Sequence, residues 1–199
     1  MPTLELNGYT SVPPGKIAAV VTFLEMFDRP TMRPGAHDLG WSLMHMERPD
    51  LGWYRALFRR IGEPHLWMEH LRASDELLRA VLHDRLLEVY AFRVDGEDEG
   101  LLVLDFRVPR ECEVLYFGLT ATMVGTGAGR WIMNRAIDRA WSKPIVRFWV
   151  HTCTLDHPGA IAFYMRSGFV PYTAKIELMD DPRANGLLPR TAAPHVPMA

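Results

Sequence analysis

One short segment limits what this chain can fold into: Val124-Gly125-Thr126-Gly127-Ala128-Gly129-Arg130, set between an apolar strand-like run and a helix-like one. Glycines on alternate positions leave no side chains between the backbone and whatever lies against it. Their N–H groups can converge on an anion, and the helix that follows adds the positive end of its dipole. Such a loop is a phosphate cradle. No Lys follows the glycines as a Walker-type loop requires, and the spacing G-x-G-x-G differs from the G-x-G-x-x-G of dinucleotide folds. Both nucleotide readings therefore weaken. Taken alone, the glycines also fit a plain tight turn at a helix start.

Downstream, residues 151–172 read HTCTLDHPGAIAFYMRSGFVPY. The two stretches together resemble the GNAT superfamily of N-acetyltransferases. Of its first motif, [QR]-x-x-G-x-[GA], Gly127 and Gly129 fill the glycine places and Val124 stands where Gln or Arg is usual. Of its second, N-x-x-A-x-x-[LF]-Y-x-x-x-G-F, the chain has Ala160, Phe163, Tyr164, Gly168 and Phe169, with His157 in the Asn place. The resemblance covers residues 86–172 well and the first 85 loosely. It implies an α+β fold, a three-layer α/β/α sandwich. Its central sheet is mixed and mostly antiparallel, with a splayed parallel pair of strands near 112–119 and 145–153 whose gap takes the pantetheine arm of acetyl-CoA.

Length and composition agree with one globular enzyme domain: 199 residues, 48% hydrophobic and 23% charged. A formal net charge of −2 without a basic run argues against nucleic-acid binding. No apolar run is long enough to span a bilayer, and the first residues lack a signal-peptide pattern, so a cytoplasmic location is expected. Cys112 and Cys153 do not make a disulfide framework and read as buried free thiols. The eight histidines show no ligand spacing, so no metal is expected.

The expected layout is an arm over 1–15, one domain over 16–179 and an extended tail over 180–199. Within the domain, an apolar β-branched run over 16–27 reads as a buried strand, followed by a long proline-containing loop over 28–49. Asp50 and Ser74 are positioned to cap two helices, the second burying Leu77, Leu78, Val81 and Leu82. A meander follows, with a solvated acidic turn over 95–100, then a helix over 127–142, a strand over 145–153, a helix from Pro158 to Ser167 and a last strand over 169–179. The family usually has one more strand at the end, and the tail offers no candidate for it.

The resemblance also assigns roles. The N–H groups of Val124, Gly125, Thr126, Gly127, Ala128 and Gly129 would hold the diphosphate of acetyl-CoA, with Arg130 adding charge and Phe117, Leu119 and His157 along the pantetheine path. The Leu119 N–H would stabilise the acyl oxygen from a strand bulge that Gly118 permits; alternatively Gly118 only makes room for a neighbour. Tyr164 would be the general acid and Glu113 the base, since 113, 115, 117 and 119 share one face of an unbulged strand. Glu25, Asp105 and His151 are further base candidates, and Asp156 reads as the cap of the helix at Pro158. The expected activity is transfer of acetyl from acetyl-CoA to a primary amine of a small molecule or peptide. The alternative is a non-catalytic acyl-CoA-binding module on the same fold. The acceptor pocket falls over 28–72, which carries Trp41, Trp53, Tyr54 and Trp67. No nucleic-acid or membrane partner is expected, and a homodimer is compatible with the resemblance.

Overall fold

The computed structural model describes residues 5–34 and 40–198. Residues 35–39 of the expected long loop, residues 1–4 of the arm and residue 199 of the tail lie outside the described residues. The strands are β1 (Lys16–Met26), β2 (Ser42–His45), β3 (Leu87–Val94), β4 (Glu97–Asp105), β5 (Glu111–Leu119), β6 (Arg147–Cys153) and β7 (Val170–Asp180). They form one sheet in the order β2-β3-β4-β5-β6-β1-β7, in which only β5 and β6 pair in parallel. The mixed α+β architecture with its parallel pair is the expected one.

The missing strand comes from the other end of the chain. β1 does not begin the sheet; it runs antiparallel between β6 and β7. Sequence order alone does not give spatial order, because strands that neighbour in the sheet need not neighbour in the chain. The opposite edge is β2, a four-residue strand inside the span read as loop.

Helices cover both faces. On one lie α1 (Leu51–Gly62), α2 (Glu69–Arg72) and α3 (Asp75–Leu82). Asp50 caps α1 by accepting from Trp53 N at 2.9 Å, and Ser74 caps α3 by accepting from Leu77 N at 3.2 Å. Tyr54, Leu57, Phe58 and Ile61 of α1 and Leu78 and Leu82 of α3 pack with Val89, Leu101 and Val103 of the sheet. Leu77 is 64% exposed, so the buried stripe of α3 is narrower than expected. On the other face, α4 (Ala128–Trp141) and α5 (Ala160–Arg166) bury Trp131, Ile132, Ala136 and Tyr164 against Leu24, Leu102, Val114 and Val150.

Two further segments differ from expectation. The acidic turn is only two residues long: Asp95 and Gly96 both have positive φ, and Glu97 to Gly100 already belong to β4. Asp98 there accepts from Trp53 Nε1 at 2.7 Å and Arg93 Nε at 2.5 Å, while Glu99 accepts from the hydroxyls of Thr120 and Thr122. The residues past β7 are not extended. They fold back so that Leu188, Ala192 and Ala193 join Ile17 and Ala19 in the core. A buried Asp181–Arg183 pair (2.8 Å) ties them down, with Arg183 also donating to the carbonyls of Ala192, Ala193 and Val196. A loop held by such bonds needs no apolar alternation, which is why the sequence pattern does not reveal it.

Candidate active site

β5 and β6 pair only from Glu111/Arg147 to Val114/Val150. Beyond that point they diverge, leaving Leu115–Leu119 and His151–Cys153 on the two sides of a gap. The divergence begins at a bulge. In the β4–β5 ladder Leu104 pairs with Val114 but Val103 pairs with Tyr116, so Leu115 is the extra residue. The bulge is thus at Leu115, not Gly118. A Cβ at Gly118 would come within 2.4 Å of Ile61 Cγ2 and 3.0 Å of Trp67 Cη2, so this glycine makes room for α1 and the loop after it.

The bulge also changes which residues share a face. Cys112, Val114, Phe117 and Leu119 meet the α4/α5 core, whereas Leu115 and Tyr116 meet the α1–α3 core. Glu113 alternates with Cys112 and Val114 and so faces α1–α3, opposite to Phe117 and Leu119. The expectation that Glu113 looks the same way as Leu119 fails because the strand is bulged between them.

On the α4/α5 face the donor-side residues converge. The glycine loop enters α4 with φ of +83° at Gly125 and +94° at Gly127, values that favour glycine. Some of its N–H groups are satisfied internally: Val124 N donates to Ala121 O (3.4 Å), Thr126 N to Met123 O (3.5 Å) and Ala128 N to Thr126 Oγ1 (3.3 Å). Among the described residues the N–H groups of Gly125, Gly127, Gly129 and Arg130 have no partner. They line the exposed start of α4, where its dipole is positive. A Cβ at Gly129 would lie 3.5 Å from Phe163 Cε2 and 3.8 Å from Leu119 Cδ1, so the loop, the end of β5 and α5 meet there. Arg130 shares a hollow between α4 and α5 with Arg33 and Arg166. Residues 29–34 therefore border this side: Asn134 Nδ2 donates to Arg33 O at 2.9 Å and Arg29 pairs with Asp138 at 2.5 Å.

Tyr164 is buried between Phe163 (ring centroids 5.4 Å), Phe169 (5.9 Å) and Phe117 (6.4 Å). Burial raises its pKa well above the usual phenol value, and the Asp156 carboxylate raises it further. The group stays protonated, and its hydroxyl has no hydrogen-bond partner among the described residues. The Leu119 N–H is also placed. Thr120 N donates to Glu99 O at 3.0 Å, and hydrogen-bonded pairs alternate in an antiparallel ladder. Leu119, opposite Gly100, then directs its N–H away from β4, to the side where β6 has diverged.

The α1–α3 face carries side-chain chemistry. Glu113 Oε1 lies 3.0 Å from His151 Nδ1, and that hydrogen bond is the main cause raising the His151 pKa. His151 follows the last β5–β6 pair by one residue, so the dyad stands at the mouth of the gap. Tyr54 hydroxyl and His70 Nδ1 are 2.7 Å apart. Burial, with Arg107 nearby, lowers His70 to about 4, and burial raises Tyr54, so Tyr54 donates and a neutral His70 accepts. Tyr116 packs against His70, Phe58 and Trp67. Trp67 crosses beneath Gly118 and donates from Nε1 to Asp156 Oδ1 at 3.2 Å. Of the other base candidates, Glu25 is engaged by Arg147 (2.8 Å) and Asp105 by Arg107 (2.5 Å).

One expected role in the loop after β6 changes. Asp156 does not cap α5, which starts at Ala160 without a side-chain cap. Its carboxylate accepts from Thr152 Oγ1 (2.7 Å) and Cys153 N (2.9 Å), closing the turn on which β6 ends. His157 is exposed, and its Nδ1 accepts from Gly159 N at 3.0 Å. Spacing in the chain does not reveal the Glu113–His151, Tyr54–His70 and Trp67–Asp156 contacts, because each joins two different elements or loops that only the fold brings together.

A model of the acetyltransferase (GNAT) family matches residues 41–169. No match was found among curated protein sequences. Among solved structures, the chain is similar to a GNAT-family protein from Novosphingobium aromaticivorans: 20% identity and TM-score 0.58 over 86% of this chain and 70% of that one. It is similar to a ribosomal-protein alanine N-acetyltransferase from Escherichia coli at 15% identity and TM-score 0.55, over 71% and 94% of the two chains. It also resembles a conserved protein from Staphylococcus epidermidis at 12% identity and TM-score 0.55, covering 84% of this chain but spanning only 63% of that one. At such identities the likeness is one of fold.

Proposed function

The chain belongs to the GNAT acetyltransferase family, and from that premise we propose that it is an acetyl-CoA-dependent N-acetyltransferase acting on a primary amine of a small molecule or peptide. The observation that carries the proposal is the row of unpaired N–H groups at Gly125, Gly127, Gly129 and Arg130, opening beside Leu119 and Phe163. That is a cradle without side chains, fit for a diphosphate. Acetyl-CoA supplies the diphosphate, a thioester carbonyl to be attacked and a thiolate to leave.

The residues divide the work by face. Arg130, with Arg33 and Arg166 around the same hollow, adds positive charge beside the cradle. Val124 serves only as part of the turn, since its N–H bonds to Ala121 O. The Leu119 N–H stabilises negative charge developing on the acyl oxygen. Tyr164 donates its unshared proton to the departing sulfur; the burial that raises the phenol also raises a thiol beside it, so transfer stays feasible. From the α1–α3 face the Glu113–His151 dyad takes a proton from the incoming ammonium, His151 through its ring and Glu113 by holding Nδ1. The bulge at Leu115 turns the Glu113 side chain toward α1–α3 and the Leu119 side chain toward α4/α5, while the Leu119 N–H opens into the gap between β5 and β6.

Calorimetry with acetyl-CoA, followed by free-thiol release over a panel of primary amines, tests this reading. Saturable binding and release with at least one amine are expected. No binding overturns the cradle; binding without release on every amine means a non-catalytic acyl-CoA module.

A further inference from the structure

The two edges of the sheet are unlike. β2 ends one side with four residues. β7 ends the other with eleven, all exposed except Met179, which is half-buried. A long edge strand carries a row of unpaired N–H and C=O groups that another strand can match. Edges are ordinarily blunted by proline, bulges or a repelling charge. Here Pro171 and the bulge residue Tyr172 sit at the beginning of β7, and the register beyond them is unbroken. The two charges within it, Lys175 and Glu177, are of opposite sign, so two antiparallel copies can match them rather than repel.

Which residues offer their backbone to a second strand follows from one hydrogen bond. Asp181 N donates to Gly15 O at 2.9 Å, in register with the pairs Lys16/Asp180 through Phe23/Thr173. Hydrogen-bonded pairs alternate, so Met179, Glu177, Lys175 and Thr173 bond to β1. Ala174, Ile176, Leu178 and Asp180 then point their N–H and C=O groups away from it, along the free edge.

These same residues form an apolar face. Val20, paired with Ile176, is 46% exposed, Ile176 55% and Leu178 44%, and the exposed Ala18 and Ala174 adjoin them. On the opposite face stand Lys175 and Glu177, neither of which forms an ion pair among the described residues.

We infer that β7 pairs antiparallel with β7 of a second copy of this chain, about a two-fold axis through Ile176. The register follows from hydrogen bonding and charge together. Free backbone groups meet only when even-numbered residues oppose even-numbered ones. Centring on Ile176 sets Lys175 against Glu177 of the other copy, and Glu177 against its Lys175. Moving the axis one residue either way opposes Lys175 to Lys175 or Glu177 to Glu177, which repels. With Ile176 at the centre, Ile176 meets Ile176 and Ala174 meets Leu178. Residues 172–180 pair along their length, and Pro171 falls just outside. The interface is isologous, as a two-fold requires, and joins two seven-stranded sheets into one.

Sedimentation velocity across a concentration series tests it without any cofactor. The unaltered chain is expected to dimerise. Lys175→Glu and Glu177→Lys should each weaken association at least about tenfold, and the double exchange should restore it. Thermal melts by circular dichroism check that these exposed substitutions leave the fold intact. A monomer at every concentration overturns the proposal. So does a dimer indifferent to the single reversals, or a double exchange that fails to restore association.

Discussion

The two faces of the sheet use different chemistry. On the α4/α5 side the proposed cofactor contacts are backbone N–H groups at Gly125, Gly127, Gly129 and Arg130. On the α1–α3 side the polar groups are side chains drawn from β5, β6, α1 and the segments after α1: Glu113, His151, Tyr54, His70 and Trp67. A backbone cradle needs consecutive residues of fixed spacing, so it leaves a motif. A side-chain cluster needs only that the fold bring distant residues together, so it leaves none. The first kind of site suits a cofactor shared across a family; the second can vary with the acceptor.

The sharpest way to break this contrast is Tyr164→Phe. Its kcat should fall by roughly 10²–10⁴, the range for lost acid–base catalysis, with little change in the KM for acetyl-CoA. Steady-state thiol release at saturating amine measures it, and an unchanged kcat removes the acid from the α4/α5 side. Next in size is Gly127→Ala. At φ +94° a Cβ costs about 1–2 kcal/mol, so the free loop of the variant should relax out of this shape, binding must restore it, and titration calorimetry should show acetyl-CoA binding weakened on the order of tenfold. Unaltered affinity would mean the loop does not bind in this shape.

The α1–α3 side is tested by pH. Glu113 holds the His151 pKa above its ordinary value, and a base works only when deprotonated. The kcat/KM profile should therefore rise with pH through that raised value. Glu113→Gln should move the inflection down, toward about 6.5. The same linkage has a stability counterpart: the pair's contribution is complete below the unfolded His value and is lost as pH rises through the folded one. A profile that stays in place after the substitution separates the dyad from catalysis. The smallest effect is expected from Val124→Gln. Its N–H already bonds to Ala121 O and the residue is 48% exposed, so acetyl-CoA affinity should change less than with Gly127→Ala.

Local signals were legible and long-range ones were not. The caps at Asp50 and Ser74, the glycine loop and the turn at Gly168 (φ +105°) depend on a few adjacent residues, and each lies where the sequence puts it. β1 was readable as a strand from its β-branched residues, but nothing in it specifies a place between β6 and β7. The bulge at Leu115 has no glycine or proline to mark it; it is seen only through the slip between Val103 and Leu104. That single extra residue is what misdirects a face assignment for Glu113. The folded-back tail was hidden for a similar reason, since its anchor is one buried ion pair rather than a periodic pattern.

The position of β1 bears on how the molecule assembles. Residues 16–26 leave the ribosome long before their neighbours at 147–153 and 170–180 have been made. Until then this apolar segment has no ladder to join, and closing it requires one of the longest chain separations in the sheet. β3, β4 and β5 pair with one another and not with β1. The first of the seven strands to be translated is thus the one whose two ladders need the last two to have been made.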